Sequence, residues 1–109
     1  MSSGPGITTV SERYLDHRRL RLRPRTMRRY EENVRLFQRF LAATEGQPPW
    51  PLALLSRPLL EDYYAWLRVP DNGLHGRQRS PDTARKIVEV AQLMWTWADE
   101  SDRWPDQVP

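Results

Sequence analysis

The sequence contains no cysteine, only five glycines and no long apolar run. The lack of cysteine and the lack of a long apolar run each exclude a class of protein. Without cysteine, disulfides and thiolate metal sites are excluded, and the redox compartment is left open. Because no run of eighteen apolar residues is present, we expect no segment to span a membrane. The N-terminus also lacks the basic and apolar segments of a secretory signal, so we expect a cytoplasmic protein.

The chain also lacks the residue patterns that carry catalysis. No Ser/His/Asp set, acid–base carboxylate pair or phosphate-binding glycine loop is present. His17 and His75 are too isolated to form a metal site, so we expect no metal, no cofactor and no active site. We expect the four tyrosines to belong to the core or its edge: Tyr14, Tyr30, Tyr63 and Tyr64.

Positive charge is concentrated in one part of the chain. The 109 residues are 39% hydrophobic and 28% charged, which is typical of one soluble globular domain with a modest core. The formal net charge is only +3, but the segment from Arg13 to Arg39 holds ten arginines against three acids, a local net charge of +7. Such a field on one side of a protein favours an anionic partner.

Apolar residues at three- and four-residue steps predict an all-α fold, a compact four-helix bundle. Thr9 with Glu12 fits a capping box, Pro24 suits a first helical turn, and Ser56 and Ser80 are typical N-caps. We expect helices near 10–20, 25–44, 57–68 and 82–100. We expect residues 1–7 to be disordered, 8–103 to form the domain and 104–109 to form a tail. The residues predicted to be buried together are Tyr30, Phe37, Leu41, Leu67, Ile87, Ala91 and Met94.

The start of the second predicted helix is the strongest functional signal. Its apolar stripe comprises Met27, Tyr30, Val34, Phe37 and Leu41. The arginines at positions 25, 28 and 29 lie on the opposite side of the helix. Cations at a helix N-terminus oppose the helix dipole, so they bring the helix itself no benefit. We therefore interpret them as ligands for phosphate, although a simple solvated face is the alternative.

A second basic segment surrounds the start of the fourth helix, where two arginines precede Ser80 and two cations follow it. Threonine hydroxyls at both helix starts can donate to phosphate. The predicted DNA-binding residues are Arg25, Thr26, Arg28, Arg29, Arg77, Arg79, Thr83, Arg85 and Lys86. Arg57 and Arg68, on the third helix, are expected to lie away from this surface. Base stacking by the five tryptophans is possible in principle, but we interpret them as core residues.

Several segments, in order, resemble the N-terminal core-binding domain of tyrosine recombinases, also called phage integrases. They are a short opening helix at 10–15, Thr26 with Tyr30, the aromatic helix end at 63–67, the Ser-Pro-Asp-Thr start at 80–83 and the aromatic-Ala ending at 93–98. The family's usual Asn-Pro ending is replaced by Asp-Gln-Val-Pro at 106–109. The family's catalytic Arg, His-x-x-Arg and Tyr belong to a separate domain, and Gln78 follows His75 at the spacing of that motif's arginine.

The resemblance implies a SAM-like helical domain that closes around double-stranded DNA together with the catalytic domain of the same parent protein. It also implies that the second and fourth helices face the DNA, that other recombinase subunits assemble there, and that this chain alone is not an enzyme. Two alternatives stay open. One is a free-standing helix-turn-helix regulator, which the long predicted connectors disfavour. The other is a protein-interaction module with an acidic partner.

Overall fold

A computed structural model describes residues 6–73 and 76–100, and these residues form an all-α four-helix bundle without strands, as predicted. The helices are α1 (Ile7–Arg19), α2 (Pro24–Glu45), α3 (Arg57–Arg68) and α4 (Pro81–Asp99). Short 3-10 turns at Leu52–Leu54 and Pro70–Asn72 lie in the connections on either side of α3. None of the described helices is long and apolar enough to cross a bilayer.

Local sequence signals place several of the helix ends. The Ser56 hydroxyl accepts a hydrogen bond from the Leu59 amide at 3.2 Å, and the Ser80 hydroxyl accepts one from the Thr83 amide at 3.1 Å. Both serines therefore satisfy amides that would otherwise lack partners in the first turn. Gly46 ends α2 with a φ of 89°, a backbone conformation that favours glycine.

The predicted start of α1 is wrong. The helix begins at Ile7 after Gly6, so Thr9 and Glu12 lie inside it and form no capping box. The reason is tertiary: the Ile7 amide donates to the Trp50 carbonyl at 2.9 Å, and the Ile7 side chain is fully buried. Gly6 and Ile7 thus belong to the folded domain, while residues 1–5 and the predicted tail lie outside the described residues.

The core is centred on aromatic side chains from α2 and α3. The ring of Tyr63 lies 4.9 Å, centroid to centroid, from the rings of both Phe37 and Phe40. From α1 and α4, the side chains of Ser11 and Met94 meet within this core, where the serine hydroxyl approaches the methionine sulfur at 3.4 Å. The residues predicted to be buried are confirmed except for Tyr30 and Ile87, which are half-buried and pack against the core.

The described tryptophans and the tyrosines serve packing, as predicted. Trp50 is buried in the core cluster, and its indole donates to the Gly46 carbonyl at 2.9 Å, so it packs the connection after α2 against the core. The described tryptophans of α3 and α4 are half-buried against the core, and so are Tyr30 and Tyr64. Burial raises the pKa of Tyr14 to about 12 and also raises the pKa of Tyr63. Trp104 and His75 lie outside the described residues.

The connection between α1 and α2 contains only four residues, 20–23. The prediction that long connectors disfavour a helix-turn-helix is therefore wrong for this pair of helices. The chain turns quickly there because the amides of Arg21 and Leu22 both bond to the Arg18 carbonyl, at 2.8 and 2.9 Å. The connection between α3 and α4 is longer, spanning residues 69–80.

Candidate nucleic-acid interface

The first turns of α2 present an exposed and unpaired cationic surface. Arg25, Thr26, Arg28 and Arg29 are all exposed, while Met27 between them is buried. The three guanidinium groups form no hydrogen bond or ion pair with any residue in 6–73 or 76–100. The first turn contains no acid, and its N-cap, Arg23, makes no side-chain capping bond. Nothing in the described structure therefore competes with an external anion for these groups.

The same face of α2 continues beyond the predicted site. Arg35 and Arg39 are exposed and follow Arg28 by seven and eleven residues, which places all three on one side of the helix. From Arg25 to Arg39 the helix rises by about 21 Å. Arg35 and Arg39 were not among the predicted DNA-binding residues, which were confined to the helix start. The helical spacing already contained the signal.

Arg19, in the same basic segment, is committed to internal ion pairs. Its guanidinium bonds to Asp16 on α1 and to Glu31 on α2, the latter at 3.1 Å. The hydrogen bond to Glu31, followed by that to Asp16, raises the pKa of this already cationic group. Arg19 therefore links α1 to α2. Fewer arginines of this segment are available to a ligand than the sequence alone suggests.

Two further arginines of this segment also make internal contacts. The Arg18 guanidinium lies over the Tyr30 ring, 5.7 Å from its centroid, in a cation–π arrangement. Arg21 donates to the carbonyl of His17 at 2.9 Å, one turn earlier. In this basic segment, Arg18, Arg19 and Arg21 make contacts within the protein. The exposed arginines along α2 have no such partner among the described residues.

The second predicted basic segment is more heavily engaged. Arg79 is half-buried and donates to the Asn72 carbonyl at 2.6 Å, while its own carbonyl accepts a hydrogen bond from the Arg68 guanidinium. Gln78 donates to the Arg68 carbonyl at 2.8 Å. Arg79 therefore organises the connection before α4, whereas Arg77 is exposed.

The cations that follow Ser80 share one acid. Asp82 lies 3.3 Å from the Lys86 ammonium and 3.8 Å from the Arg85 guanidinium, and all three side chains are largely exposed. Thr83 is exposed, and its hydroxyl accepts a hydrogen bond from the Ser80 hydroxyl at 3.0 Å. Surface ion pairs of this kind are weak, so a phosphate could displace the acid. The cations predicted around the start of α4 are exposed except for Arg79, and Asp82 partly neutralises the two that follow Ser80.

The described residues contain no group of three or more metal-binding side chains close enough to hold a metal ion. No protein-family model, curated protein sequence or solved structure matches the chain. The row of unpaired arginines along α2 is the feature that the packing of the bundle does not explain.

Proposed function

We propose that this chain binds the phosphate backbone of duplex DNA along α2, as the core-binding domain of a site-specific tyrosine recombinase. The observation that carries the proposal is the set of exposed arginines at 25, 28 and 29. Within the described residues they have no hydrogen-bond or ion-pair partner, and the helix start on which they lie has no side-chain cap and no acid in its first turn. Each cation near a helix N-terminus is unfavourable by roughly 0.3–1 kcal/mol. A DNA phosphate bound at the same place would make the electrostatic free energy of these cations favourable.

The row of cations also fits an extended polyanion better than a small ligand. Five arginines occupy the exposed side of α2 between positions 25 and 39, with Glu32 as the one acid within that row. Duplex DNA carries phosphates along its length, and arginine binds them through paired N–H donors. A helix that lies along or across the backbone can therefore make several such contacts at once.

The recombinase part of the proposal is supported by the ordered sequence segments that resemble the family. In this role the chain supplies half of a clamp and holds the duplex, while the catalytic domain of the parent protein cleaves and rejoins strands. Other recombinase subunits would assemble on the same DNA. The proposal assigns binding to this chain and no chemical step.

A second candidate is favoured by the four-residue connection between α1 and α2. A helix-turn-helix joins its two helices by a turn of about this length, and the N-terminal residues of its second helix read base edges in the major groove. Arg25 and Arg28 would then contact bases. The two candidates differ in specificity, because a half-clamp binds many sequences and a regulator prefers one site.

The test is a titration of labelled duplexes of about 20 base pairs with the chain, at several salt concentrations. If about four to six phosphates are contacted, the slope of log K against log salt is expected to be roughly −4 to −5. Arg25→Ala and Arg29→Ala should each flatten the slope by about one, and the double variant by about two. Arg57→Ala, an exposed change on α3, is the control and should leave the slope unchanged. Arg68 cannot serve as a second control, because it bonds to the Arg79 carbonyl.

The outcomes separate the candidates. Similar binding to unrelated duplexes supports the half-clamp, and a strong preference for one selected sequence supports the regulator. Equal loss of affinity in Arg57→Ala and Arg25→Ala would show that the surface is wrong. If the native chain ignores DNA even at low salt, the protein-interaction module with an acidic partner becomes the better interpretation.

A further inference from the structure

A small cleft lies between the end of α1 and the first turns of α2. It has a volume of about 290 Å³. Its lining comprises six side chains, those of Arg19, Leu22, Pro24, Met27, Arg28 and Glu31. Arg28 also belongs to the unpaired arginines at the start of α2, so a duplex bound to those arginines would lie against this cleft.

Three apolar side chains form one part of the cleft lining. Met27 is buried, whereas Leu22 is half-buried and Pro24 is exposed, so both of the latter keep apolar surface open to a ligand. Apolar surface in a concave site that also holds a few polar groups is typical of ligand-binding sites. The cleft therefore differs from the rest of the α2 surface, which is cationic.

The polar part of the lining includes an ion pair. The guanidinium of Arg19 bonds to the carboxylate of Glu31 at 3.1 Å, which links α1 to α2 at the cleft. Although this pairing compensates the charge of Glu31, a carboxylate at this position disfavours a phosphate inside the cleft. A DNA phosphate is better placed on the exposed Arg28 guanidinium, and the cleft itself suits an uncharged, apolar group.

The base edges of duplex DNA carry one apolar group of this kind. In the major groove, thymine presents its C5-methyl group, whereas the other characteristic groups there are hydrogen-bond donors and acceptors. We propose that the cleft binds a thymine C5-methyl group against Leu22 and Pro24, while Arg28 binds the backbone beside it. This rests on the proposed function, because it requires a duplex along α2. It adds a base preference to a surface that otherwise binds phosphate.

The structure holds the cleft in place before a ligand arrives. The Leu22 amide donates to the Arg18 carbonyl at 2.9 Å, which fixes the turn that carries the leucine. Pro24 begins α2, and its ring fixes the main-chain φ angle. The Arg19–Glu31 pair connects the two helices. Because little conformational freedom is left to lose, contact with a methyl group retains most of its favourable free energy.

The experiment compares duplexes that differ only in the C5-methyl group. One pair is an alternating A·T duplex and the same duplex with uracil in place of thymine. The other pair is an alternating G·C duplex and the same duplex with 5-methylcytosine, which carries its methyl group at the same ring position. Burial of one methyl group changes affinity by about three- to fourfold. We expect the native chain to prefer the methylated member of each pair by this factor.

Leu22→Ala tests whether the cleft is the methyl site. The substitution removes apolar lining, so the preference for thymine over uracil should be largely lost. The salt slope should stay unchanged, because no charge is removed. Leu20→Ala is the matched control, since this leucine lies in the same connection, is 85% exposed and does not line the cleft. It should keep the native preference, and circular dichroism checks the fold of both variants.

Two results would overturn the inference. In the first, the native chain binds DNA with the expected salt slope but does not distinguish the methylated duplexes, or Leu22→Ala behaves like Leu20→Ala. The phosphate-binding surface at the start of α2 would then stand without a methyl site. In the second, the native chain binds no duplex even at low salt, and the proposed function fails together with this site.

Discussion

The first turns of α2 and α4 follow one pattern but differ in the chemical type of residue at two positions. Residues 23–29 read Arg-Pro-Arg-Thr-Met-Arg-Arg, and residues 80–86 read Ser-Pro-Asp-Thr-Ala-Arg-Lys. In both helices a proline begins the first turn, a buried residue (Met27 or Ala84) follows a threonine, and two exposed cations come next. The difference lies at the N-cap and at the second helical position.

At α4 both of these positions stabilise the helix. Ser80 caps the Thr83 amide, and Asp82 complements the helix dipole while pairing with the two cations of the next turn. At α2 the same positions are Arg23 and Arg25. Arg23 makes no side-chain capping bond, and Arg25 is a cation that opposes the helix dipole. Since both helices fold in one chain, the arginines are not required to start a helix. The start of α4 thus contains residues that stabilise the helix, whereas the start of α2 contains cations that oppose the helix dipole.

The largest expected effect concerns the core that both helices share. Phe37 and Met94 occupy matching positions in the two apolar stripes, and both are buried. Phe37→Ala should lower the free energy of unfolding by about 3–5 kcal/mol and Met94→Ala by about 2–5 kcal/mol, because each leaves a cavity. Urea denaturation measures both, with Leu20→Ala as the control because this leucine is 85% exposed. Losses below about 1 kcal/mol in both variants would contradict the shared core.

An intermediate effect is expected from exchanging the two N-caps. Ser80→Ala should lower the free energy of unfolding by about 1 kcal/mol, because the Thr83 amide loses its partner. Arg23→Ser should raise the free energy of unfolding by about 0.5–1 kcal/mol, because a serine there can accept from the Thr26 amide and one unfavourable cation is removed. Thermal and urea melts measure both. A destabilised Arg23→Ser would show that the native α2 start is already satisfied by another contact.

The smallest expected effect is a gain of DNA affinity at α4. Asp82→Asn releases Arg85 and Lys86 from their shared acid and removes a negative charge from the surface. The slope of log K against log salt should therefore become steeper by about one. Asp71→Asn is the matched control, an exposed acid in the connection between α3 and α4 that forms no ion pair within the described residues. Equal gains in both variants would indicate a general charge effect and no contact by α4.

Much of the fold could be predicted because its signals are local. The spacing of apolar residues gave the four helices, and Ser56, Ser80 and Gly46 marked helix ends through bonds or backbone angles that involve neighbours in sequence. The start of α1 could not be predicted in this way. The Ile7 amide bonds to the Trp50 carbonyl, a residue 43 positions later in the sequence, and no local pattern encodes that contact.

The same distinction between local signals and tertiary contacts applies to the candidate site. The sequence by itself determined that Arg25, Arg28 and Arg29 face away from the core, since helical periodicity alone decides which face a residue occupies. It could not determine which arginines are free. Arg19 is paired with Glu31 of another helix, and Arg79 is half-buried and bonded to the Asn72 carbonyl in the connection before α4. Only the tertiary structure decided those partners, because they depend on how the helices pack and not on the order of residues within any one helix.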